Sequence, residues 1–90
     1  MASIPFTQFL RPDGRPREVS IDRPADISDK ANRILAAGYR FECEELVNGT
    51  VSFTVSDDDD DHDIELCPNG PEVPAAVDRL IERFAKQISA

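Results

Sequence analysis

The sequence predicts an α+β two-layer sandwich, an antiparallel sheet carrying two helices on one face, in the order β-β-α-β-β-β-α. Three observations predict it. Two segments place apolar residues at helical spacing along a single stripe. The other segments alternate apolar and polar residues with a period of two. Turn signatures separate the segments.

Ile4 to Leu10 reads as a strand, with Pro5 suited to an edge or a strand start. Arg11-Pro12-Asp13-Gly14 is a turn, Pro setting φ and Gly supplying a positive φ. Arg17 to Asp22 alternates and places Val19 and Ile21 on one face, so the first two strands form a hairpin with a loop of about five or six residues. A helix follows over Pro24 to Ala37. Pro24 fits its first turn, Asp26 and Asp29 favour the positive end of its dipole, and Ile27, Ala31, Ile34 and Leu35 form its stripe. Gly38 stops it.

Tyr39 to Val47 is a strand with Tyr39, Phe41 and Cys43 on one face and Arg40, Glu42 and Glu44 on the other. Its alternation slips at Glu45-Leu46, which marks a bulge. Asn48-Gly49 is a two-residue hairpin signal. Val51, Phe53 and Val55 then alternate with Ser52, Thr54 and Ser56. Asp57 to Asp61 is a solvated acidic turn, and His62 to Cys67 a short strand. Pro68-Asn69-Gly70-Pro71 breaks the chain. The last helix, Val73 to Ile88, aligns Val73, Ala76, Val77, Leu80, Ile81, Phe84 and Ile88, with Glu82 and Lys86 as an i, i+4 pair. The polar sheet face, Arg40, Glu42, Glu44, Ser52, Thr54 and Ser56, is expected to be open to water.

The chain has 90 residues, 40% hydrophobic and 31% charged. That suits one domain over residues 1–90 and is too apolar for a disordered segment. The N-terminus lacks a signal-peptide pattern, and no apolar run approaches the roughly 18 residues of a membrane span. Two cysteines do not make a disulfide scaffold. A cytoplasmic protein with reduced thiols is the expectation.

The formal net charge is -8. Residues 1–23 carry four Arg against three acids, so the excess negative charge lies entirely in the remainder of the chain. Nucleic-acid binding through the phosphate backbone needs a basic face, which this balance excludes as the dominant field. Basic protein surfaces and cations are the favoured partners.

The acidic stretch Asp57, Asp58, Asp59, Asp60, Asp61, His62, Asp63 has three chemical readings beside that of a solubilising loop. It is a contact surface for a basic partner. It is a divalent-cation site, although counting from Asp57 puts His62 and Pro68 where a calcium loop needs Gly and Glu. Or it mimics DNA, since acids on one strand face recur at about 6.8 Å, near the phosphate repeat. Cys43, His62 and Cys67 lack the close pairing of a zinc site. Cys43 falls on core parity and reads as a buried small hydrophobe. Cys67 lies on the opposite parity from Ile64 and Leu66 and reads as structural, with a catalytic thiol as the alternative. The turn before the last helix lacks the Lys and Ser/Thr of a phosphate loop. Arg11, Arg15, Arg17 and Arg23 cluster at the first hairpin with no aromatic interleaving, and read as partners of acids within the domain. No catalytic residue, metal site or cofactor is expected.

Ile4-Pro-Phe-Thr-Gln-Phe-Leu-Arg-Pro-Asp-Gly-Arg15, Gly38-Tyr-Arg-Phe-Glu-Cys43 and Ile64-Glu-Leu-Cys-Pro-Asn-Gly-Pro-Glu-Val73 together resemble a small uncharacterised family of bacterial and phage-associated proteins. The resemblance implies a cytoplasmic accessory protein and carries over no activity.

The expected function is a non-enzymatic protein-interaction module. It would bind a protein partner, basic in character, through the open face (Arg40, Glu42, Glu44, Ser52, Thr54) and the acidic loop (Asp57, Asp58, Asp59, Asp60, Asp61, Asp63). The alternatives are an acidic DNA mimic, a divalent-cation-binding domain and a small enzyme using Cys67. Homodimerisation through the sparsely charged Ile4–Leu10 strand is a further expectation.

Overall fold

The structure, a computed structural model, describes residues 2–9, 16–46 and 48–89. The chain forms β1 (Ala2–Phe9), β2 (Pro16–Arg23), α1 (Ala25–Ala36), β3 (Arg40–Glu45), β4 (Thr50–Ser56), β5 (Asp61–Pro68) and α2 (Val73–Ser89). The five strands make one sheet in the spatial order β2-β1-β3-β4-β5. The expected Arg11–Gly14 turn lies outside the described residues.

The sheet is mixed, which corrects the antiparallel expectation. β1 pairs antiparallel with β2 from Ala2↔Arg23 to Phe9↔Pro16, and parallel with β3 over Thr7↔Glu42 to Phe9↔Glu44. The reason lies in the crossover. β2 returns the chain to the end of the sheet where β1 begins, and after α1 the chain enters β3 from that same end. β3 therefore runs alongside β1 in the same direction. β1 is thus an interior strand, and the edges are β2 and β5. The expectation that β1 offers a free edge for a second copy is overturned by this order. Pro5 is tolerated because the β3 ladder engages only Thr7–Phe9.

The apolar faces meet as the periodicities require. Ile4, Phe6, Phe41, Cys43, Phe53, Val55 and Cys67 of the sheet pack with Ile27, Ala31 and Ile34 of α1 and Ala76, Val77, Leu80, Ile81 and Phe84 of α2. Phe6 sits at the middle, its ring 5.2 Å from Phe41 and 5.7 Å from Phe53, the second contact edge-on. Such offset and edge-on geometry suits the ring quadrupoles. Tyr39, just before β3, packs edge-on against Phe84 at 4.9 Å.

The turns differ in detail from the sequence reading. Leu46 N–H donates to the Thr50 carbonyl at 2.7 Å, and Gly49 N–H to the Leu46 carbonyl at 3.2 Å. Three residues, not two, therefore close the β3–β4 hairpin, and Gly49 takes φ +82°. A positive φ after a tight turn is what Gly permits. β3 ends at Glu45. The register shift falls instead between Val55/Ser56 and β5, where Val55 faces Asp63 and Ser56 faces Asp61, leaving His62 as the extra residue.

Candidate functional site

Across the sheet, paired residues put their side chains on one face. Glu18, Thr7, Glu42, Thr54 and Ile64 form one such row, and Glu44, Ser52 and Leu66 lie in the next. This is the face away from the helices. Among its described residues Glu18, Asp22, Glu42 and Glu44 stand against one cation, Arg40. The field over the face is negative.

The polar face is less open than the alternation alone suggests. Ser56 is 1% exposed and Ser52 7%. Their short side chains lie beneath longer neighbours: Ser56 Oγ donates to Glu42 Oε1 at 3.0 Å, and Ser52 Oγ reaches the Glu44 carbonyl at 3.5 Å. Arg40 links this face to the acidic turn. Its Nε donates to Glu42 Oε2 at 3.1 Å and its Nη1 to Asp58 Oδ1 at 3.0 Å. Those hydrogen bonds, Glu42 first, raise the Arg40 pKa further above its ordinary value.

The acidic turn is internally braced. Asp57 Oδ1 accepts the N–H of Asp59 at 2.9 Å and of Asp60 at 3.0 Å, an Asx arrangement. His62 Nε2 lies 2.8 Å from Asp57 Oδ2. The bond to His62, then those backbone donors, hold the Asp57 carboxyl below the usual carboxylate range. Asp58, Asp59, Asp60 and Asp61 are exposed. His62 packs edge-on to Tyr39 at 5.2 Å, so the ring fastens the turn to the core margin. No group of three or more His, Cys, Asp or Glu among the described residues is placed to hold a metal ion.

β5 departs most from its sequence pattern. Its helix-facing residues are Asp63, Glu65 and Cys67, while Ile64 and Leu66 face out of the core. Asp63 therefore does not share the open face with Glu42 and Glu44. Two arginines on α2 neutralise the inward acids. Arg83 Nε and Nη2 donate to the two Asp63 oxygens, both at 2.9 Å, and Nη1 donates to Glu65 Oε1 at 2.9 Å. Arg79 adds a contact of 3.2 Å to Glu65. The Arg83 hydrogen bonds hold the Asp63 carboxyl below its usual range, and Arg83 is pushed further up. In compensation, Cys67 is buried with Cys43 in the core, and desolvation pushes both thiols up.

The edge of β5 is partly guarded. Pairs on opposed strands alternate between exchanging and not exchanging backbone bonds. Asn69 N–H donates to the Gly49 carbonyl at 3.0 Å. That phase makes Cys67/Val51, Glu65/Phe53 and Asp63/Val55 the bonded pairs. Ile64, Leu66 and Pro68 consequently direct their backbone groups away from β4. The Ile64 N–H is taken by Asp63 Oδ1 at 2.9 Å and its carbonyl by Arg83 Nη2 at 3.0 Å. Pro68 has no N–H. Of these three, Leu66 alone presents both a donor and an acceptor that no described residue takes.

Ile64 and Leu66 are each 53% exposed, and they are the exposed large hydrophobic residues among those described. Beside Ile64, a recess of ≈ 340 Å³ is lined by Thr54, Asp61, His62, Asp63 and Ile64. The remaining sequence candidates lie elsewhere. Arg23 pairs with Asp78 of α2 at 2.6 Å, and Arg17 Nη2 donates to Gln8 Oε1 at 2.9 Å. Arg11 and Arg15 lie outside the described residues. The expected Glu82–Lys86 ion pair is not formed. Both side chains line a depression between the helices that Lys30 and Arg33 share.

Sequence reasoning passed over Ile64, Leu66 and Arg83. The available signal was parity: Cys67 and the apolar pair cannot all face the core. Acids at 63 and 65 matched arginines four apart on α2, and this settles which set faces the helices.

No protein-family model, curated protein or solved structure matches this chain. No helix among the described residues is long and apolar enough to cross a membrane.

Proposed function

We propose that this chain is a non-enzymatic interaction module that binds a basic protein partner across its open sheet face and the adjoining acidic turn. One observation carries the reading: Ile64 and Leu66 stand half exposed, side by side, on a face whose charges are mostly negative. Burying two such side chains offers a partner about 1–2 kcal/mol each from the area still open to water. The surrounding carboxylates of Glu42, Glu44 and Asp58 to Asp61 select for positive charge and accelerate encounter. Ser52 and Thr54 separate the acids of β3 from the apolar pair. The buried, desolvated cysteines do not favour a thiol-based reading. The inward bonding of Asp57 and Asp63 does not favour a cation loop.

Affinity capture from a lysate of the producing cell tests this, using the native protein, Ile64→Ser/Leu66→Ser, and a variant with Asp58 to Asp61 changed to Asn. The expected result is a cationic partner retained by the native protein, lost with the first variant, and weakened by salt and by the second variant. A partner bound equally by all three would place the surface elsewhere. A partner that is itself a nucleic-acid-binding protein, and that DNA displaces, would turn the reading to the DNA mimic.

A further inference from the structure

We infer that the partner engages as an added strand along β5, a cationic extended segment with alternating apolar residues. This rests on the open-face reading above and specifies how that face is used. Three features of β5 converge on it. The strand is a sheet edge, and the outward N–H and carbonyl of Leu66 have no partner among the described residues. Ile64 and Leu66 lie two residues apart, so alternate side chains of a neighbouring strand fall beside them. The recess beside Ile64 is lined by Thr54, Asp61, His62, Asp63 and Ile64; Asp61 is exposed, while the Asp63 carboxylate is already held by Arg83. That lining matches a lysine or arginine, whose stem is apolar and whose tip is charged.

Asp61 is exposed, and the acidic turn continues past it, so the strand's cationic end is drawn to that end of β5. A second copy of this chain fits less well, because its net charge of -8 opposes approach. Ile64 is the guarded position. An incoming strand must replace Asp63 on its N–H and Arg83 on its carbonyl. The exchange is local: Arg83 keeps its bonds to Asp63 and Glu65, and what is surrendered is its 3.0 Å contact to the Ile64 carbonyl and the 2.9 Å bond from the Ile64 N–H to Asp63 Oδ1. Pro68 sets the limit of the ladder, so the added strand pairs over Ile64 to Leu66 and extends toward the turn.

The test uses the native protein and a seven-residue peptide alternating Lys and Val, with two N-methylated versions. One carries methyl groups on the amides that point toward β5, the other on the amides that point away. N-methylation of the first set removes the ladder donors and leaves charge and side chains in place. The expected result is at least tenfold weaker binding for the first version than for the second. Slowed hydrogen exchange at the Leu66 amide should accompany binding of the unmodified peptide. Equal binding by both versions, with shifts on Glu42, Glu44, Ser52 and Thr54, overturns strand addition and leaves face docking standing. Absence of binding by the unmodified peptide at millimolar concentration also overturns it. Failure of the face reading itself shows separately, as a captured partner indifferent to Ile64→Ser/Leu66→Ser.

Discussion

Arg83→Met removes the guanidinium that holds β5 to α2 while keeping a stem of similar length in place. Arg83 makes two bonds to Asp63, one to Glu65 and one to the Ile64 carbonyl. In a dry interior each charge-assisted bond is worth about 1.5–3 kcal/mol. Here the Arg83 side chain is 43% exposed, so water screens much of that. Arg79 also remains on Glu65, and the Ile64 amide on Asp63. The net loss is about 1.5 kcal/mol at neutral pH, against a total of roughly 5–13 kcal/mol for a domain of this size. It corresponds to a fall in Tm of about 6–12 °C.

The pH dependence fixes the cause. Asp63 is depressed below its unfolded value, so its pairing stabilises the fold above about pH 4 and is lost as pH falls through the lower folded pKa. Urea unfolding of native and variant protein from pH 7 down to about pH 2.5 reads this directly. The gap should be full at pH 7 and closed at the acid end. A gap under about 0.3 kcal/mol at pH 7, or one unchanged by acid, refutes the clamp as a source of stability.

Other positions give equally direct readings. Phe6→Ala vacates the centre of the three-ring contact and should cost about 3–5 kcal/mol, enough to leave the domain marginal in urea titration. Ile64→Ser and Leu66→Ser should change stability by less than about 0.5 kcal/mol each, since both side chains are already half in water; a larger loss would make them core residues. Cys43 and Cys67 should react slowly with a thiol reagent at pH 8 in the native state, and both promptly in urea. A fast native thiol contradicts their desolvation. Asp57→Ala should speed hydrogen exchange at the Asp59 and Asp60 amides, and unaltered exchange would show that the carboxylate does not brace the turn.

The elements of the fold were legible wherever one face is buried and the other is wet. The stripes Ile27-Ala31-Ile34 and Val77-Leu80-Ile81-Phe84 specified the helices, and Phe41-Cys43 and Phe53-Val55 the inner strand faces. The parallel pairing of β1 with β3 was not legible, because local alternation carries no information on which strands become neighbours. That depends on where α1 returns the chain. At the candidate site, Glu42, Glu44, Ser52 and Thr54 were placed by parity alone. β5 misled for a physical reason: at a sheet edge covered by one helix, arginines from that helix stabilise acids on the inner side, and apolar residues take the outer side. The bulge at His62 also shifts the phase of the strand, so counting from the acidic turn gives the wrong face.

The most direct measurement of the central claim is methyl and amide chemical-shift mapping of the native protein against the captured partner. The predicted result is the largest shifts at the Ile64 and Leu66 methyl groups, with Glu42, Glu44, Ser52, Thr54 and the Asp58 to Asp61 amides responding and Lys30, Arg33 and Lys86 silent. Shifts centred on Lys30, Arg33 and Lys86, with Ile64 and Leu66 unmoved, would contradict it and put the binding surface on the helical layer.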